Sequence, residues 1–250
     1  MRSQRLRVTF AKGPTLRFIT HLDLMRFWER ALRRASVALA YSEGFSPHPQ
    51  ISLAAPLPVG VTGRAELMDI FLAERSSPRD VRSLLSPQLP PGLSLSRIVE
   101  LPVGLPSIQS QMRAAEYRVE LPADTDLHGL ARRIDALLRR DSLPWQHARE
   151  KEIRNYDLRP LIQALALCSN ATGEAVGPAL CLRLQADNTA TGRPDQVLAA
   201  LELPTGLQIE RTRLLLAPSR PVNDAETVAR HEEQPAVSSE EAGEKERGRR

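Results

Sequence analysis

The order in which extended and helical patterns follow one another constrains the fold of this chain more than any other feature. An extended segment from Arg5 to Ala11 precedes a helical segment from His21 to Ala35, and Thr20 and Asp23 form a variant of the capping box at its start. Further segments are predicted as strands at 51–58 and 65–73, a helix at 78–85 and a strand at 93–101. This order, β-α-β-β-α-β, is the ferredoxin-like arrangement.

The second half of the sequence predicts the same order with one strand more. A strand at 116–121 precedes a helix at 126–140, in which apolar residues recur at helical spacing. The remaining predicted elements are strands at 145–151, 158–167 and 179–185, a short helix at 194–201 and a last strand at 207–216. We therefore predict an α+β protein with two ferredoxin-like domains in tandem.

The predicted boundaries follow from these patterns and from the composition of the carboxyl-terminal end. The first domain spans 1–104, a linker spans 105–114 and the second domain spans 115–217. Residues 218–250 are rich in Glu, Arg, Ser, Pro and Ala and contain little that could be buried, so we predict a disordered charged tail.

The sequence predicts a cytoplasmic protein that does not span a membrane. No apolar run approaches the roughly 20 residues that span a bilayer, and the amino terminus carries charge where a signal peptide needs an apolar region. Cys168 and Cys181 are the only cysteines, which excludes a zinc ribbon or an iron–sulfur cluster. We expect two reduced, buried thiols, with a disulfide as the alternative. No metal site, phosphate-binding loop or nucleophile elbow is predicted.

The positive charge is almost entirely arginine and lies outside the tail. The chain carries +4 and residues 219–250 carry −2, which leaves +6 on the remainder. Lysine occurs only at positions 12, 151 and 245, and the planar arginine fork suits phosphate and carboxylate groups. Genome-wide codon bias produces the same excess and stays open as an alternative.

The first predicted helix has one apolar and one basic side. At 100° per residue, Asp23 shares a face with four arginines, namely Arg26, Arg30, Arg33 and Arg34. This face could bind an anionic partner or be an ordinary solvated surface with an Asp23–Arg26 pair. His21 falls at the amino-terminal end of the apolar side.

The segment AYSEGFSPHPQIS, 40–52, presents aromatic and imidazole groups on a restrained backbone. Its candidate binding residues are Tyr41, Gly44, Phe45, Pro47, His48 and Pro49. The two prolines limit the conformations of His48, which suits either a rigid connection or presentation to a partner. A 15-residue helix is about 22 Å long, so His21 and His48 meet only if this segment folds back.

Two carboxylates in the first half, Glu66 and Asp69, are further candidates. They could bind a cation or pair with the helix arginines, and ordinary charges at a strand edge are the alternative.

Several motifs together resemble a known family, the radical SAM-linked proteins, a domain of unknown function. The matching runs are Lys12-Gly13-Pro14, Arg17 to Arg26, Arg30 to Ala35, Tyr41 to Pro49, Leu57 to Gly60, Glu66, and Asp157 to Ile162. The resemblance covers roughly residues 5 to 216. Thr20 stands where serine is expected and Ser46 where asparagine is expected, and both replacements keep a side chain that can cap or form a turn.

The resemblance implies an association rather than a reaction. Members of this family are encoded beside, or fused to, radical SAM proteins with a cobalamin-binding-like region. This chain lacks the three-cysteine motif of such an enzyme, so we expect it to bind no cofactor directly. SAM, an iron–sulfur cluster and, where the region is present, cobalamin are expected on the partner.

The leading functional hypothesis is a non-catalytic accessory protein that binds a radical SAM enzyme and presents a substrate, with structured RNA as the candidate. Its expected binding residues are those of the first helix and the loop, Lys12, His21, Asp23, Arg26, Arg30, Arg33, Tyr41, Gly44, Phe45, Pro47, His48 and Pro49. One alternative is an RNA-processing or RNA-modifying enzyme with His21 or His48 as acid or base. The other is a scaffold without a ligand.

Overall fold

The computed structural model describes residues 2–149, 152–168 and 177–218, which form an α+β structure. The elements of the first half are β1 (Gln4–Lys12), α1 (His21–Arg34), β2 (Ile51–Leu53), β3 (Val61–Leu72), α2 (Pro78–Leu85) and β4 (Leu93–Leu101). Those of the second half are α3 (Ile108–Gln111), β5 (Met112–Glu120), α4 (Leu127–Leu138), β6 (Pro144–Arg149), β7 (Glu152–Asp157), β8 (Ile162–Cys168), β9 (Ala179–Gln185), α5 (Pro194–Ala200) and β10 (Ile209–Leu216). The predicted fold class, α+β, is confirmed.

One mostly antiparallel sheet runs through both halves. Its strand order is β4-β1-β3-β10-β5-β9-β8, and β2 pairs with β3 beside this path. The halves join where β10 pairs with β3 in parallel, residues 209–211 against 61–63. The strands of the first half lie in the order β4-β1-β3-β2, and those of the second half, leaving out β6 and β7, in the order β10-β5-β9-β8. If the strands of each half are numbered one to four along the chain, both orders are fourth, first, third, second.

Helix α1 begins and ends close to the predicted residues. The Thr20 hydroxyl accepts a hydrogen bond from the Asp23 backbone N–H at 3.2 Å, which confirms the predicted cap. The apolar side buries Leu24 and Trp28, and the Trp28 ring meets Phe10 of β1 edge to face with centroids 4.9 Å apart. This packing fixes the start of the helix at the carboxyl end of β1.

The segment 144–162 differs from the prediction. Strands β6 and β7 form an antiparallel hairpin of their own, and β8 begins only at Ile162, after a single 3-10 turn at Arg159–Leu161. The predicted strands at 145–151 and 158–167 correspond to β6 and β8, but the prediction missed β7 and began the second of these strands four residues too early. The sequence of β7, EIRNYD, lacks the alternation of apolar and polar residues that marks a half-buried strand.

The segment between β4 and β5 packs against the sheet. The predicted linker, 105–114, includes α3 and the first residues of β5. Buried Arg5 of β1 donates to the carbonyl oxygens of Leu105 at 2.6 Å and Pro106 at 2.8 Å. These hydrogen bonds hold the start of the second half against β1.

Arg5 also corrects the expectation for Asp69. The buried Asp69 carboxylate on β3 lies 2.5 Å from an Arg5 nitrogen and 2.8 Å from Arg7 Nε. It therefore pairs with arginines of the neighbouring strand β1, and not with those of α1. Adjacent antiparallel strands bring these residues together across their register, Arg7 opposite Asp69.

The two cysteines form a disulfide, so the expectation of reduced, buried thiols was wrong. Cys168 and Cys181 are half-buried on neighbouring strands β8 and β9, with Cα atoms 5.9 Å apart. That separation lies within the usual range for a disulfide. The strand pairing brings together two residues that lie 13 positions apart in the sequence.

None of the helices in the described ranges is long and apolar enough to cross a bilayer. The tail that was predicted to be disordered, 218–250, lies outside the described residues except for Pro218.

Candidate functional site

Five polar residues meet where β1 ends, α1 begins and β3 pairs with β10. We refer to Lys12, His21, Glu66, Tyr117 and Arg211 as the polar cluster. Lys12 and His21 were predicted as binding residues, and for both of them burial lowers the pKa most and the charge of Arg211 lowers it further. The other ten predicted positions lie along α1 and in the loop after it.

The Arg211–Glu66 ion pair is the centre of the polar cluster. Arg211 Nε donates to Glu66 Oε1 at 2.8 Å, and Arg211 Nη2 donates to the other carboxylate oxygen. The guanidinium also donates to the carbonyl oxygens of Pro56 at 3.0 Å and Ala55 at 3.1 Å. Burial alone would lower the pKa of Arg211, but the Glu66 carboxylate raises it above its ordinary value. The expectation that Glu66 pairs with the helix arginines was therefore wrong.

Tyr117 of β5 closes the polar cluster from the side of the second half. Burial raises the pKa of its hydroxyl, and the charge of Arg211 opposes this shift. Tyr117 stays neutral at physiological pH in this environment.

Lys12 is buried with few partners. Only 1% of its surface is exposed, and its Nζ donates to the Arg17 carbonyl oxygen at 3.3 Å. Burial lowers the pKa of Lys12, the Glu66 charge opposes this, and the Arg211 charge lowers the pKa further. Since Glu66 is already engaged by Arg211, the polar cluster holds two cationic side chains against one carboxylate.

His21 faces the polar cluster from the first residue of α1. Its Nδ1 is buried and has no hydrogen-bond partner among the described residues. Burial, and then the Arg211 charge, lower the pKa of His21. A neutral imidazole with an unpaired ring nitrogen can accept or donate one hydrogen bond. Among the described residues no three His, Cys, Asp or Glu side chains are grouped as a metal site requires.

The loop from Tyr41 to Pro49 is closed by its own hydrogen bonds. The Ser42 N–H donates to the His48 carbonyl at 2.9 Å, and the His48 N–H donates to the Ser42 hydroxyl at 3.0 Å. Gly44 has a φ of +116°, a backbone conformation that residues other than glycine rarely adopt. Within this loop, Phe45 is fully exposed to solvent and His48 is exposed.

The polar cluster and the loop lie at opposite ends of β3. Arg211 pairs with Gly63, whereas the loop is anchored at Phe71, whose carbonyl accepts from Ala40 and whose N–H donates to Gln50. Eight residues of strand separate these points, or about 26 Å. The structure therefore does not bring His21 and His48 together.

The basic face of α1 is exposed as the helical projection predicts. Arg26 lies 3.8 Å from Asp23, and both side chains are more than half exposed. Arg30 and Arg33 are exposed near the carboxyl end of the helix, and Arg34 donates to the Gln88 side chain at 3.1 Å. This face leads directly into the segment that carries the loop.

Sequence reasoning missed Arg211 and Tyr117. Arg211 stands between Glu210 and Thr212 in a strand with three charged residues, a pattern that suggests a solvent-exposed position. A register shift between Arg211 and Arg213 in the pairing with β5 breaks the alternation of faces. No local signal in the sequence identifies such a shift.

Two solved structures to which this chain is similar are distant likenesses. A chain from the crystal structure of a Cbf5-Nop10-Gar1 complex is 12% identical with a TM-score of 0.42, over 85% of this chain and 49% of that one, so this chain spans about half its length. An unknown protein from Galdieria sulphuraria is 15% identical with a TM-score of 0.24, over 86% of this chain and 99% of that one. These TM-scores are too low to carry an inference about function.

No curated protein matches the sequence. A family model matches residues 5–194, a range that includes the start of α1, the loop from Tyr41 to Pro49 and Glu66. The chain belongs to the bacterial family described as "Uncharacterized protein conserved in bacteria (DUF2344)".

Proposed function

We propose that this protein is a cytoplasmic accessory protein that binds a radical SAM enzyme and presents a substrate, which we take to be RNA. The resemblance of the α1 and loop motifs to the radical SAM-linked proteins suggests the partner. The observation that carries the proposal is the loop from Tyr41 to Pro49, which is held at its base while Phe45 is fully exposed.

A fully exposed phenylalanine on a braced loop is suited to protein recognition. Exposed aromatic side chains contribute strongly when a partner buries them, and a loop that is already ordered loses less conformational entropy on binding. His48 and Tyr41 flank Phe45 and supply hydrogen-bonding groups at the rim. The loop therefore combines an apolar anchor with polar surroundings.

The arginine face of α1 extends this surface. Arg26, Arg30 and Arg33 are exposed, and the loop follows the end of α1 within seven residues. Guanidinium groups at the rim of an interface steer an acidic partner and give an association rate that depends on salt. We assign loop and helix face together to the radical SAM enzyme, which would supply SAM, the iron–sulfur cluster and, where it has the binding region, cobalamin.

The proposal includes two ferredoxin-like halves, 1–104 and 115–217. The repeated strand order, fourth, first, third, second, supports this interpretation in both halves. The parallel pairing of β10 with β3 would then connect them in one sheet.

The RNA-processing alternative receives less support from the geometry. Its two candidate histidines lie at opposite ends of β3, so a mechanism that uses both rings at one substrate atom is not available. His21 alone, with its unpaired Nδ1, stays a candidate base. The scaffold alternative predicts that substitutions of the exposed loop residues change nothing.

Affinity purification from the native cytosol tests the proposal. The tagged wild type is compared with Phe45→Ser/His48→Ala, and Leu84→Ser on α2 removes another exposed apolar side chain as the matched control. We expect wild type and control to recover a radical SAM enzyme, identified by mass spectrometry and its iron content. The loop variant should recover about tenfold less of this enzyme. Equal recovery with all three proteins, or no such enzyme with wild type, overturns the proposal.

A further inference from the structure

A pocket opens between the start of β1, strands β2 and β3, and the segment 103–108 that follows β4. Its volume is about 160 Å³, close to the roughly 150 Å³ of an engineered protein cavity that accepts one benzene molecule. The polar residues that line the pocket are Arg2, Arg5, Ser52, Asp69 and Ser107. The pocket therefore has room for one small ligand and has polar groups that can orient it.

The inner wall of the pocket carries two guanidinium groups against one carboxylate. Asp69 Oδ1 accepts a hydrogen bond from Arg7 Nε at 2.8 Å, and Oδ2 accepts from Arg5 Nε and Arg7 Nη2, both at 3.0 Å. Arg5 also donates to the backbone carbonyls of Leu105 and Pro106, which fixes its position at the wall. Since both oxygens of the one carboxylate are already engaged, one positive charge at this wall has no counter-ion.

In the described part of the chain, the strands and the segment around the pocket bring no second carboxylate to this face. Glu100 of β4 lies opposite Leu6, whose side chain is in the core beneath α1, so Glu100 belongs to the other face, where it pairs with Arg75. Strand β2 contributes the uncharged Ser52, and the segment 103–108 contains no charged residue. The excess of positive charge is therefore specific to the pocket.

Arg2 stands at the mouth of the pocket with its terminal nitrogens available. Its guanidinium carbon lies 4.5 Å from the centre of the Phe71 ring, and its Nε donates to the Gln50 side chain. The two terminal nitrogens of Arg2 donate no hydrogen bond to a described residue, and the side chain is exposed. The aromatic ring holds the guanidinium group in place, so its terminal nitrogens can receive a carboxylate.

The remaining wall of the pocket is apolar. It consists of Phe71, Val103, Leu105 and the fully buried Ile108. A ligand with an apolar portion gains free energy by covering this wall, whereas a bare inorganic anion leaves it in contact with water. An apolar wall with a few convergent polar groups is typical of sites for small organic molecules.

We propose that this pocket binds a small organic carboxylate. The carboxylate group lies on Arg2 and on the Ser52 hydroxyl, which donates no hydrogen bond to a described residue, and the apolar portion lies against Leu105 and Ile108. The inference goes beyond the proposed function and does not depend on it. Gln50, which accepts from Arg2, donates to the Tyr41 carbonyl at 3.2 Å and so connects the bound ligand to the base of the loop.

Nuclear magnetic resonance titration of the purified full chain with benzoate tests this inference. The backbone amide signals of Ser52, Phe71 and Ser107 should shift, and the shifts should saturate with a Kd of about 1 mM or tighter. Benzamide has nearly the same shape without the negative charge and should bind at least about tenfold more weakly. Inorganic phosphate, which lacks an apolar portion, should also bind more weakly than benzoate.

Two variants with the same loss of charge separate the pocket from the rest of the surface. Arg2→Gln should weaken benzoate binding at least about tenfold, and Arg79→Gln, at an exposed position of α2, should stay within about twofold of wild type. Because Arg2 is exposed, the variant should fold, and the same spectra show whether it does. Absence of saturable shifts at the pocket, equal binding of benzamide or phosphate, or unchanged benzoate binding by Arg2→Gln overturns the inference.

The inference and the proposed function fail separately. The Phe45→Ser/His48→Ala variant should bind benzoate as wild type does, because neither residue lines the pocket. Arg2→Gln should still recover the radical SAM enzyme, because the exposed loop side chains are unchanged.

Discussion

Arg211 and Glu66 lie 145 positions apart in the sequence and form a buried, bidentate ion pair across the junction of β10 and β3. The same guanidinium donates to two backbone carbonyls after β2, and its charge acts on the Tyr117 hydroxyl of β5. One side chain of the second half thus bonds to two elements of the first half, β3 and the segment after β2.

Replacing Arg211 by alanine should destabilise the protein strongly. The change leaves Glu66 buried without its counter-ion, which typically costs about 3–5 kcal/mol in the free energy of unfolding. Urea unfolding of Arg211→Ala measures this, and Arg213→Ala, an exposed arginine on the same strand, should stay within about 1 kcal/mol of wild type. A loss below about 1 kcal/mol for Arg211→Ala would show that the ion pair does not hold the junction.

The lowered pKa of His21 should make the protein less stable in mild acid. Unfolded histidine titrates near 6.5, and the folded protein resists protonation of His21 because its ring is partly buried beside Arg211. Between the lowered folded value and 6.5 the unfolded state binds more protons, so stability falls as pH falls through that window. The melting temperature of wild type should drop more steeply below about pH 6.5 than that of His21→Asn. Parallel curves for the two proteins would contradict this prediction.

Lys12→Met should be at least as stable as wild type at pH 7. The substitution removes a buried ammonium that has one long hydrogen bond and keeps most of the aliphatic volume. Because burial lowers the folded pKa of Lys12, wild type should gain stability relative to the variant as pH rises towards 10.5. Chemical unfolding of both proteins at neutral and alkaline pH measures these two effects. If Lys12→Met is less stable than wild type by more than about 1 kcal/mol at pH 7, the prediction is wrong.

Reduction of the disulfide between Cys168 and Cys181 should lower stability measurably. The bond closes a short loop, for which chain entropy predicts about 3 kcal/mol. Unfolding of the oxidised and the reduced protein gives the difference, and Cys168→Ser/Cys181→Ser should match the reduced form with and without reductant. If reduced and oxidised wild type unfold at the same urea concentration, the disulfide contributes no stability.

Local sequence signals predicted the elements whose structure depends on residues close to them in the sequence. The Thr20 cap and the apolar spacing of Leu24 and Trp28 identified α1, and the exposure of its arginine face followed from the same projection. Glycine and proline in the 40–52 segment indicated an ordered loop after α1. These features depend on neighbours within a few turns of the chain.

The polar cluster could not be predicted in this way, because its residues come from four strands and a helix that are far apart in the sequence. Glu66 looked like a charge at a strand edge until β10 placed Arg211 against it, and the register shift after Arg211 hides its orientation. Cys168 and Cys181 similarly depend on which strands become neighbours. Strand pairing over long separations leaves no mark in local periodicity.

The position of β10 has a consequence for the order in which the protein can assemble during synthesis. The strand that the ribosome makes last among those described is inserted between β3 and β5, near the centre of the sheet. Until residues 209–216 emerge, both neighbouring strands have an unpaired edge that can pair with other chains. Newly made chains that stop before Ile209 should therefore aggregate, and a chaperone that covers exposed strand edges would protect them.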